Sequence, residues 1–174
     1  MAIPVPFPHM SLNAEALPAG PFLMWNTWIV PWGTTVEKML GWTAEVARTS
    51  PWGKLETVVF NSHGCGGRML IGEGFKRRHT PKFAVLKGLV NQIWLCGCSV
   101  ARIEGSGDND VLYSCTNDGN LFCCEIAKAS GAFVTAPTGL QKGEKNVKYG
   151  HIDDWEGTVL TYGPLGNVVA VKNY

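Results

Sequence analysis

The sequence has few charged residues and almost no excess of either sign. Of its 174 residues, 15 are Lys or Arg and 14 are Asp or Glu, which gives a net charge of +1. Charged residues make up 17% of the chain, against about 25% in typical domains. A chain with so little net charge is not expected to have the basic surface that attracts nucleic acid or an anionic membrane. We therefore predict that nucleic acid is not among its partners.

Long hydrophobic runs are also missing. No stretch approaches the 18 or more consecutive apolar residues that a transmembrane helix needs, so the sequence predicts no membrane span. A secretory signal is not expected either, because the first basic residue is Lys38 and prolines interrupt the early apolar residues. We predict a protein that is cytoplasmic, or one that is exported without a cleaved signal peptide.

The cysteines are too sparse for a disulfide scaffold. Six occur in the chain, and their spacing matches no disulfide framework. This pattern favours unpaired thiols in a reducing compartment. The six are Cys65, Cys96, Cys98, Cys115, Cys123 and Cys124.

Strands and helices alternate along most of the chain. Residues 1–21 hold five of the ten prolines, which predicts a Pro-rich arm over the surface. Residues 22–174 are predicted to form a single α/β domain. Its mostly parallel sheet has helices on both faces and ends in a β-hairpin over residues 157–172. The polar stretch 102–119 is predicted to be a loop or a hairpin insertion.

Two predicted strands end in unusual chemistry. Ser62-His63-Gly64 follows the strand over residues 55–61, and Gly97-Cys98-Ser99 follows the strand over residues 92–96. Ligands of parallel sheets bind beyond the carboxyl ends of the strands. If the two strands are neighbours, the His63 imidazole can take the proton of the Cys98 thiol and activate it as a nucleophile. Backbone N–H groups of Gly64 and Cys98 could then stabilise an oxyanion.

These segments resemble a known family. VVFNSHG and IWLCGCSVA look like the two signature blocks of the caspase-like, or clan CD, cysteine peptidases, and are most like bacterial caspase-like domains with SHGxxG and GCxVA blocks. Two later segments, AKASGAFVTA at residues 127–136 and Asp154-Trp155, match further blocks of those domains. The likeness covers roughly residues 55–160. It implies a caspase-like three-layer sandwich that hydrolyses peptide bonds with Cys98 as nucleophile and His63 as general base, without a cofactor or a metal.

The resemblance also implies a protein or peptide substrate. Peptidases of this fold commonly select the residue before the scissile bond, and an acidic pocket selects Lys or Arg. Asp153 and Asp154 are candidates for such a pocket, as is Glu104, whereas Arg102 or Arg68 would select Asp. The expected biology is a bacterial effector or toxin, with a cognate inhibitor or immunity protein as a candidate partner.

Cys65 leaves three interpretations open. It is a loop residue without a role, or a redox candidate that forms a disulfide with Cys98 and silences the nucleophile. It is otherwise the nucleophile of a peptidoglycan amidase with His151 as base, since Gly150-His151-Ile152-Asp153 resembles the His block of some such enzymes. Those amidases place their cysteine at the start of a helix, which Gly66 and Gly67 disfavour.

Two further alternatives involve other residues. His63, Cys65, Cys96 and Cys98 are ligand types that suit zinc, but their spacings are not those of usual zinc knuckles. Five of the seven tryptophans lie between residues 25 and 52, so a non-catalytic protein-binding domain with an exposed aromatic patch is the competing class.

Overall fold

A seven-stranded sheet organises the structure, a computed structural model that describes residues 2–103, 118–143 and 147–174. Most of the predicted 102–119 insertion, with Glu104 and Cys115, lies outside the described residues. The helices are α1 (Val36–Thr49), a 3₁₀ helix (Arg77–Leu86) and α2 (Gly119–Ser130). The strands are β1 (Ile3–Pro4), β2 (His9–Ala14), β3 (Asn26–Val30), β4 (Leu55–Asn61), β5 (Gly64–Cys65), β6 (Arg68–Met69), β7 (Phe75–Lys76), β8 (Val90–Cys96), β9 (Phe133–Pro137), β10 (His151–Ile152), β11 (Thr158–Tyr162) and β12 (Val168–Asn173).

The main sheet is mostly parallel. Its strand order is β12-β11-β9-β8-β4-β2-β3. The five strands from β3 to β9 are parallel, and the hairpin β11–β12 is antiparallel. Two smaller sheets, β1–β10 and β5–β6–β7, accompany it. The predicted α/β class, the mostly parallel sheet and the C-terminal hairpin are confirmed.

The predicted N-terminal arm is wrong over residues 9–14. These residues form β2, which lies between β3 and β4 and is buried along its whole length. Met10 and Leu12 pack into the main core, whereas the intervening Ser11 and Asn13 face the other side of the sheet. The flanking prolines mask this strand in the sequence, although its alternation of apolar and polar residues is typical of one.

The crossover direction decides which face carries the helices. Three crossovers, from β3 to β4, from β4 to β8 and from β8 to β9, run the same way along the sheet, and each holds one helix. Because such crossovers are right-handed, all three lie on one face. The helices accordingly share the main core cluster. This arrangement differs from the predicted helices on both faces.

Extended segments cover the opposite face. Only the crossover from β2 to β3 runs in the other direction among the parallel strands, and its Phe22 and Met24 join a second apolar cluster. Ile152 and Trp155, from the segment between β9 and β11, complete that layer. Within the described residues, no helix contributes to this second cluster.

Capping residues define the ends of the two α-helices. The Thr35 side chain accepts a hydrogen bond from the Lys38 N–H and caps the start of α1. Asp118 caps α2 by accepting from the Leu121 N–H at 2.8 Å. Gly131 ends α2 with φ of 67°, a left-handed conformation that favours glycine. These caps set where β9 begins and therefore where it delivers the chain to the carboxyl edge of the sheet.

Candidate active site

A cavity of about 250 Å³ opens at the carboxyl edge of the parallel strands. Its walls come from the segments that follow β2, β4, β8 and β9 and from the segment after β10. The strand order reverses between β2 and β4, and ligands of open α/β sheets bind at such a switch point. The lining comprises residues 17–19, 61–63, 96–98, 141–143 and 152–155, with Phe22.

His63 and Cys98 occupy equivalent positions on neighbouring strands. β4 and β8 pair in parallel with Asn61 opposite Cys96, and the Ser62 N–H donates to the Cys96 carbonyl at 3.1 Å. Two residues beyond the Asn61–Cys96 pair, the chains reach His63 and Cys98. The His63 side chain is exposed, the Cys98 side chain is half-buried, and both line the cavity. The expectation that these two strands are neighbours is confirmed.

Glycines allow the two loops to pack against each other. A Cβ atom at Gly64 would lie 2.7 Å from Val100 Cγ2 and 3.2 Å from the Cys98 carbonyl oxygen. A Cβ atom at Gly97 would lie 3.0 Å from the Ser62 carbonyl oxygen. Larger residues would push these loops apart, so the glycines hold the His63 and Cys98 segments in close contact.

The Gly64 N–H points away from the small hairpin. Leu70 donates its N–H to the His63 carbonyl at 2.9 Å, and Gly64 pairs with Met69 at the next position of the ladder. Bonded and non-bonded pairs alternate in antiparallel strands, so Gly64 and Met69 form a non-bonded pair. The Gly64 N–H is therefore directed to the side opposite β6.

The Cys98 sulphur contacts the backbone of Gln141. The Gln141 N–H donates to Cys98 Sγ at 3.4 Å, and Sγ lies 3.6 Å from the Gln141 carbonyl oxygen. The next residue, Ser99, has φ of 55°, which is uncommon for a residue other than glycine. Its N–H donates to the Gly139 carbonyl at 2.8 Å. Sequence reasoning missed Gln141, since a backbone contact from a distant loop leaves no motif.

A polar network supports the wall after β2. Asn13 Oδ1 accepts hydrogen bonds from the Phe22 N–H at 2.8 Å and from Asn61 Nδ2 at 2.9 Å. The Ser11 hydroxyl donates to the Phe22 carbonyl at 2.6 Å. Phe22 and Asn61 both line the cavity. The network therefore ties the β2–β3 crossover to the carboxyl end of β4.

Cys96 is a thiol of a different kind. Its side chain packs against the second apolar cluster. Burial, with a smaller contribution from the negative charge of Asp153, raises the pKa of the Cys96 thiol well above its ordinary value. A thiol with a raised pKa stays protonated at neutral pH and is a poor nucleophile. The two cysteines of the Cys96-Gly97-Cys98 sequence are thus chemically distinct.

The structure places the predicted substrate residues differently. Asp153 and Asp154 line the cavity, and the Asp154 N–H donates to Asp153 Oδ1 at 2.8 Å. Lys142 also lines it, with its Nζ 3.5 Å from Glu156 Oε1. Arg102 is not among the described lining residues, and its N–H donates to the Ser99 carbonyl. Asp153, Asp154 and Lys142 therefore lie in the cavity wall, whereas Arg102 does not.

Cys65 and His151 lie apart from this cavity. Cys65 is 1% exposed and disulfide-bonded, whereas Cys98 is a free thiol. The predicted disulfide between Cys65 and Cys98 is therefore not formed in this structure, and the expectation that all the thiols are unpaired is wrong for Cys65. The spacing of cysteines in a sequence can indicate a framework of several disulfides, but it does not indicate a single disulfide.

His151 lies near the amino end of β2, opposite the carboxyl ends of the strands where the cavity opens. It follows Gly150, where a Cβ atom would lie 3.3 Å from Nε2 of His9, the first residue of β2. Cys65 instead follows the carboxyl end of β4. The structure does not bring together the two residues that the amidase alternative requires.

The described residues form neither a metal site nor a membrane-spanning helix. Among the described residues, no group of three or more His, Cys, Asp or Glu side chains is arranged to hold a metal ion. No helix in the described part of the chain is long and apolar enough to cross a bilayer. The four-residue zinc alternative is therefore not supported at the carboxyl edge, where Cys65 is already bonded.

Comparison with known proteins found no relative. No family model, no curated protein and no solved structure matches the chain. The function is therefore inferred from the geometry of the cavity and from the sequence blocks in its walls.

Proposed function

We propose that the protein is a caspase-like cysteine endopeptidase with Cys98 as nucleophile and His63 as general base. One observation carries the proposal: the two residues follow paired parallel strands at the same register and line the same cavity. A thiol and an imidazole in the walls of one cavity are the residue types that nucleophilic catalysis by cysteine uses. The four sequence blocks that resemble those of clan CD peptidases also support it.

The reaction would proceed by acyl transfer. His63 takes the Cys98 proton, and the sulphur attacks the scissile carbonyl carbon, so that a C–S bond forms and the carbonyl oxygen becomes an oxyanion. His63 then protonates the leaving nitrogen as the C–N bond breaks. Water, activated by His63, hydrolyses the thioester and returns the proton to the thiol. No cofactor enters these steps.

Backbone donors near the sulphur would stabilise the oxyanion. The Gly64 N–H is directed away from β6, and its loop packs against the Cys98 carbonyl. Together with the Cys98 N–H it would form an oxyanion hole, in which one donor is typically worth about a hundredfold or more in rate.

The cavity favours a substrate with Lys or Arg before the scissile bond. Asp153 and Asp154 supply negative charge in its wall, while Phe22, Ile152 and Trp155 supply an apolar surface for an aliphatic stem. Lys142 is largely exposed and pairs with Glu156, so its charge is partly compensated. A protein or peptide with exposed basic residues is therefore the proposed substrate, and an effector or toxin role with a cognate inhibitor remains part of this proposal.

Covalent labelling tests the catalytic pair. A peptide chloromethyl ketone with Lys before the reactive group should modify Cys98, and His63→Ala should slow that modification about a hundredfold or more, because general-base assistance is lost. Peptide mapping by mass spectrometry identifies the labelled thiol. His151→Ala is the matched control and should label at the wild-type rate. Equal labelling rates for the wild type and His63→Ala would refute the catalytic pair.

A non-catalytic binding domain is the second candidate. Phe7, Trp25 and Trp52 are exposed, and the Phe7 ring contacts both tryptophans edge to face, with ring centroids 5.7 Å apart for Trp52 and 6.1 Å apart for Trp25. Exposed aromatic patches mark interaction sites in many proteins. A protein whose Cys98 never labels faster than a free cysteine peptide, and that cleaves no peptide, would favour this second candidate.

A further inference from the structure

The contact between Cys98 and Gln141 extends beyond the pair that the sequence blocks identify. It joins the end of β8 to the segment over residues 138–143, which follows β9 and lies far away in the sequence. The two segments are also linked by the Ser99 N–H to the Gly139 carbonyl and by the Ala101 N–H to the Pro137 carbonyl, at 2.8 and 2.9 Å. The segment therefore has a fixed place beside the sulphur.

The Gln141 side chain holds this segment in place. Its Nε2 donates to the Glu156 carbonyl at 2.8 Å and to its neighbour, the Leu140 carbonyl, at 2.9 Å. Its Oε1 accepts from the Glu156 N–H at 3.0 Å. The amide thus pairs with both backbone groups of Glu156, a geometry that fixes the side chain and, through it, the backbone of residue 141.

Two backbone groups of Gln141 contact the sulphur. The N–H donates to Sγ at 3.4 Å, and the carbonyl oxygen lies 3.6 Å from Sγ, where it can accept from the thiol. The position of residue 141 therefore determines the hydrogen bonds that the Cys98 sulphur makes.

We infer that Gln141 is a positioning residue, whose side chain, by pairing with the Glu156 backbone, aims the Gln141 N–H at the Cys98 sulphur. The inference rests on the proposed role of Cys98 as nucleophile, but its test does not need a substrate. Gln141 acts through its own backbone and takes no proton. Its role is to hold the nucleophile in a fixed orientation.

The test is the rate of Cys98 alkylation by iodoacetamide across a range of pH, followed by mass spectrometry of the intact protein and of its peptides. Gln141→Ala should slow the reaction about three- to tenfold at pH 7, as expected for partial loss of a hydrogen bond to the sulphur. Gln141→Met, which keeps the side-chain volume without its hydrogen bonds, should show the same loss of rate.

A variant in the same segment separates positioning from general loosening. Thr138 donates its hydroxyl to the Thr158 carbonyl at 3.0 Å and does not line the described cavity. Thr138→Ala should lower the melting temperature without changing the alkylation rate of Cys98. A rate unchanged in both Gln141 variants, or slowed equally by Thr138→Ala, would overturn the inference. A slowed alkylation in a protein that cleaves no peptide would refute the proposed function and leave the contact between Gln141 and Cys98 standing.

Discussion

Asp153 and Asp154 place negative charge beside Cys98 and Phe22 in the cavity wall. In the proposed function, these two residues select the substrate. A basic side chain that enters the cavity would lose its contacts with water and gain contacts with these carboxylates. Burial of a cation is favourable only when an opposite charge receives it. The sequence leaves open whether Asp153 and Asp154 select a basic residue or Arg102 selects an acidic one. Arg102 is not among the described residues that line the cavity, which favours selection of a basic residue.

Asp153→Asn tests that choice. Removing the charge should lower kcat/KM for substrates with Lys or Arg before the scissile bond by about ten- to a hundredfold, because the basic side chain loses its charged partner. This fold-change corresponds to about 1.4 to 2.8 kcal/mol. Fluorogenic peptides that differ only in that residue provide the measurement. Leucine peptides are the control and should be cleaved equally by both proteins; a parallel loss for leucine and lysine peptides would contradict the assignment.

The two neighbouring thiols illustrate what single residues reveal and conceal. From the sequence, Cys96 and Cys98 differ only in that Cys98 follows a glycine after a strand. The structure separates them through packing, because Cys96 contacts the second apolar cluster and Cys98 contacts the Gln141 backbone. The placement of His63 and Cys98 at one edge of the sheet could be predicted because it depends on strand ends. Gln141 and the Cys65 disulfide could not, because they depend on long-range contacts.

At the scale of elements, β2 carries an unusual buried histidine. His9 begins the strand, and its Nδ1 accepts a hydrogen bond from the Trp25 N–H at 2.9 Å, which requires a neutral ring. Burial, with a smaller contribution from nearby His151, lowers the pKa of His9 below its ordinary 6.5. Burial and the charges of Arg78 and Lys82 likewise lower the pKa of His79.

The lowered pKa values of His9 and His79 predict that the folded protein is less stable in acid. Below pH 6.5 the unfolded chain binds protons that the folded chain excludes, so the stabilisation is present above pH 6.5 and is lost as the pH falls toward the lowered folded pKa. The melting temperature should therefore decrease between pH 7 and pH 5. In His9→Gln this decrease should be smaller, and in His9→Gln combined with His79→Gln smaller still. Thermal unfolding followed by circular dichroism checks this, and an unchanged slope in the double variant would contradict it.

Elements differ in how far local sequence defines them. The strand over residues 55–61 agrees with its predicted bounds, because its apolar run is flanked by clear turn residues. Thr80-Pro81 is a local pattern that predicts a helix beginning at Pro81, but the 3₁₀ helix Arg77–Leu86 begins before that residue. Local patterns do not predict β2, because three prolines precede a strand of only six residues. Its burial between β3 and β4 comes from pairing, which no local pattern reports.

At the scale of the whole molecule, strand order connects the fold to the site. The order reverses between β2 and β4, so the β2–β3 crossover and the later crossovers diverge to opposite faces and leave a cavity between them. The sequence could predict the α/β class and the alternation of elements. It could not predict that all the described helices share one face, because that follows from the order of strands that the N-terminal segment completes.

Peptide cleavage is the most direct measurement of the central claim, that Cys98 and His63 at this edge hydrolyse peptide bonds. The protein would be incubated with a complex peptide library, and new peptide termini would be identified by mass spectrometry. The account predicts that the wild type and Cys124→Ser generate new termini, predominantly after Lys or Arg, and that Cys98→Ser and His63→Ala generate none above background. New termini that persist in the folded Cys98→Ser protein, or a wild type that generates none, would contradict it.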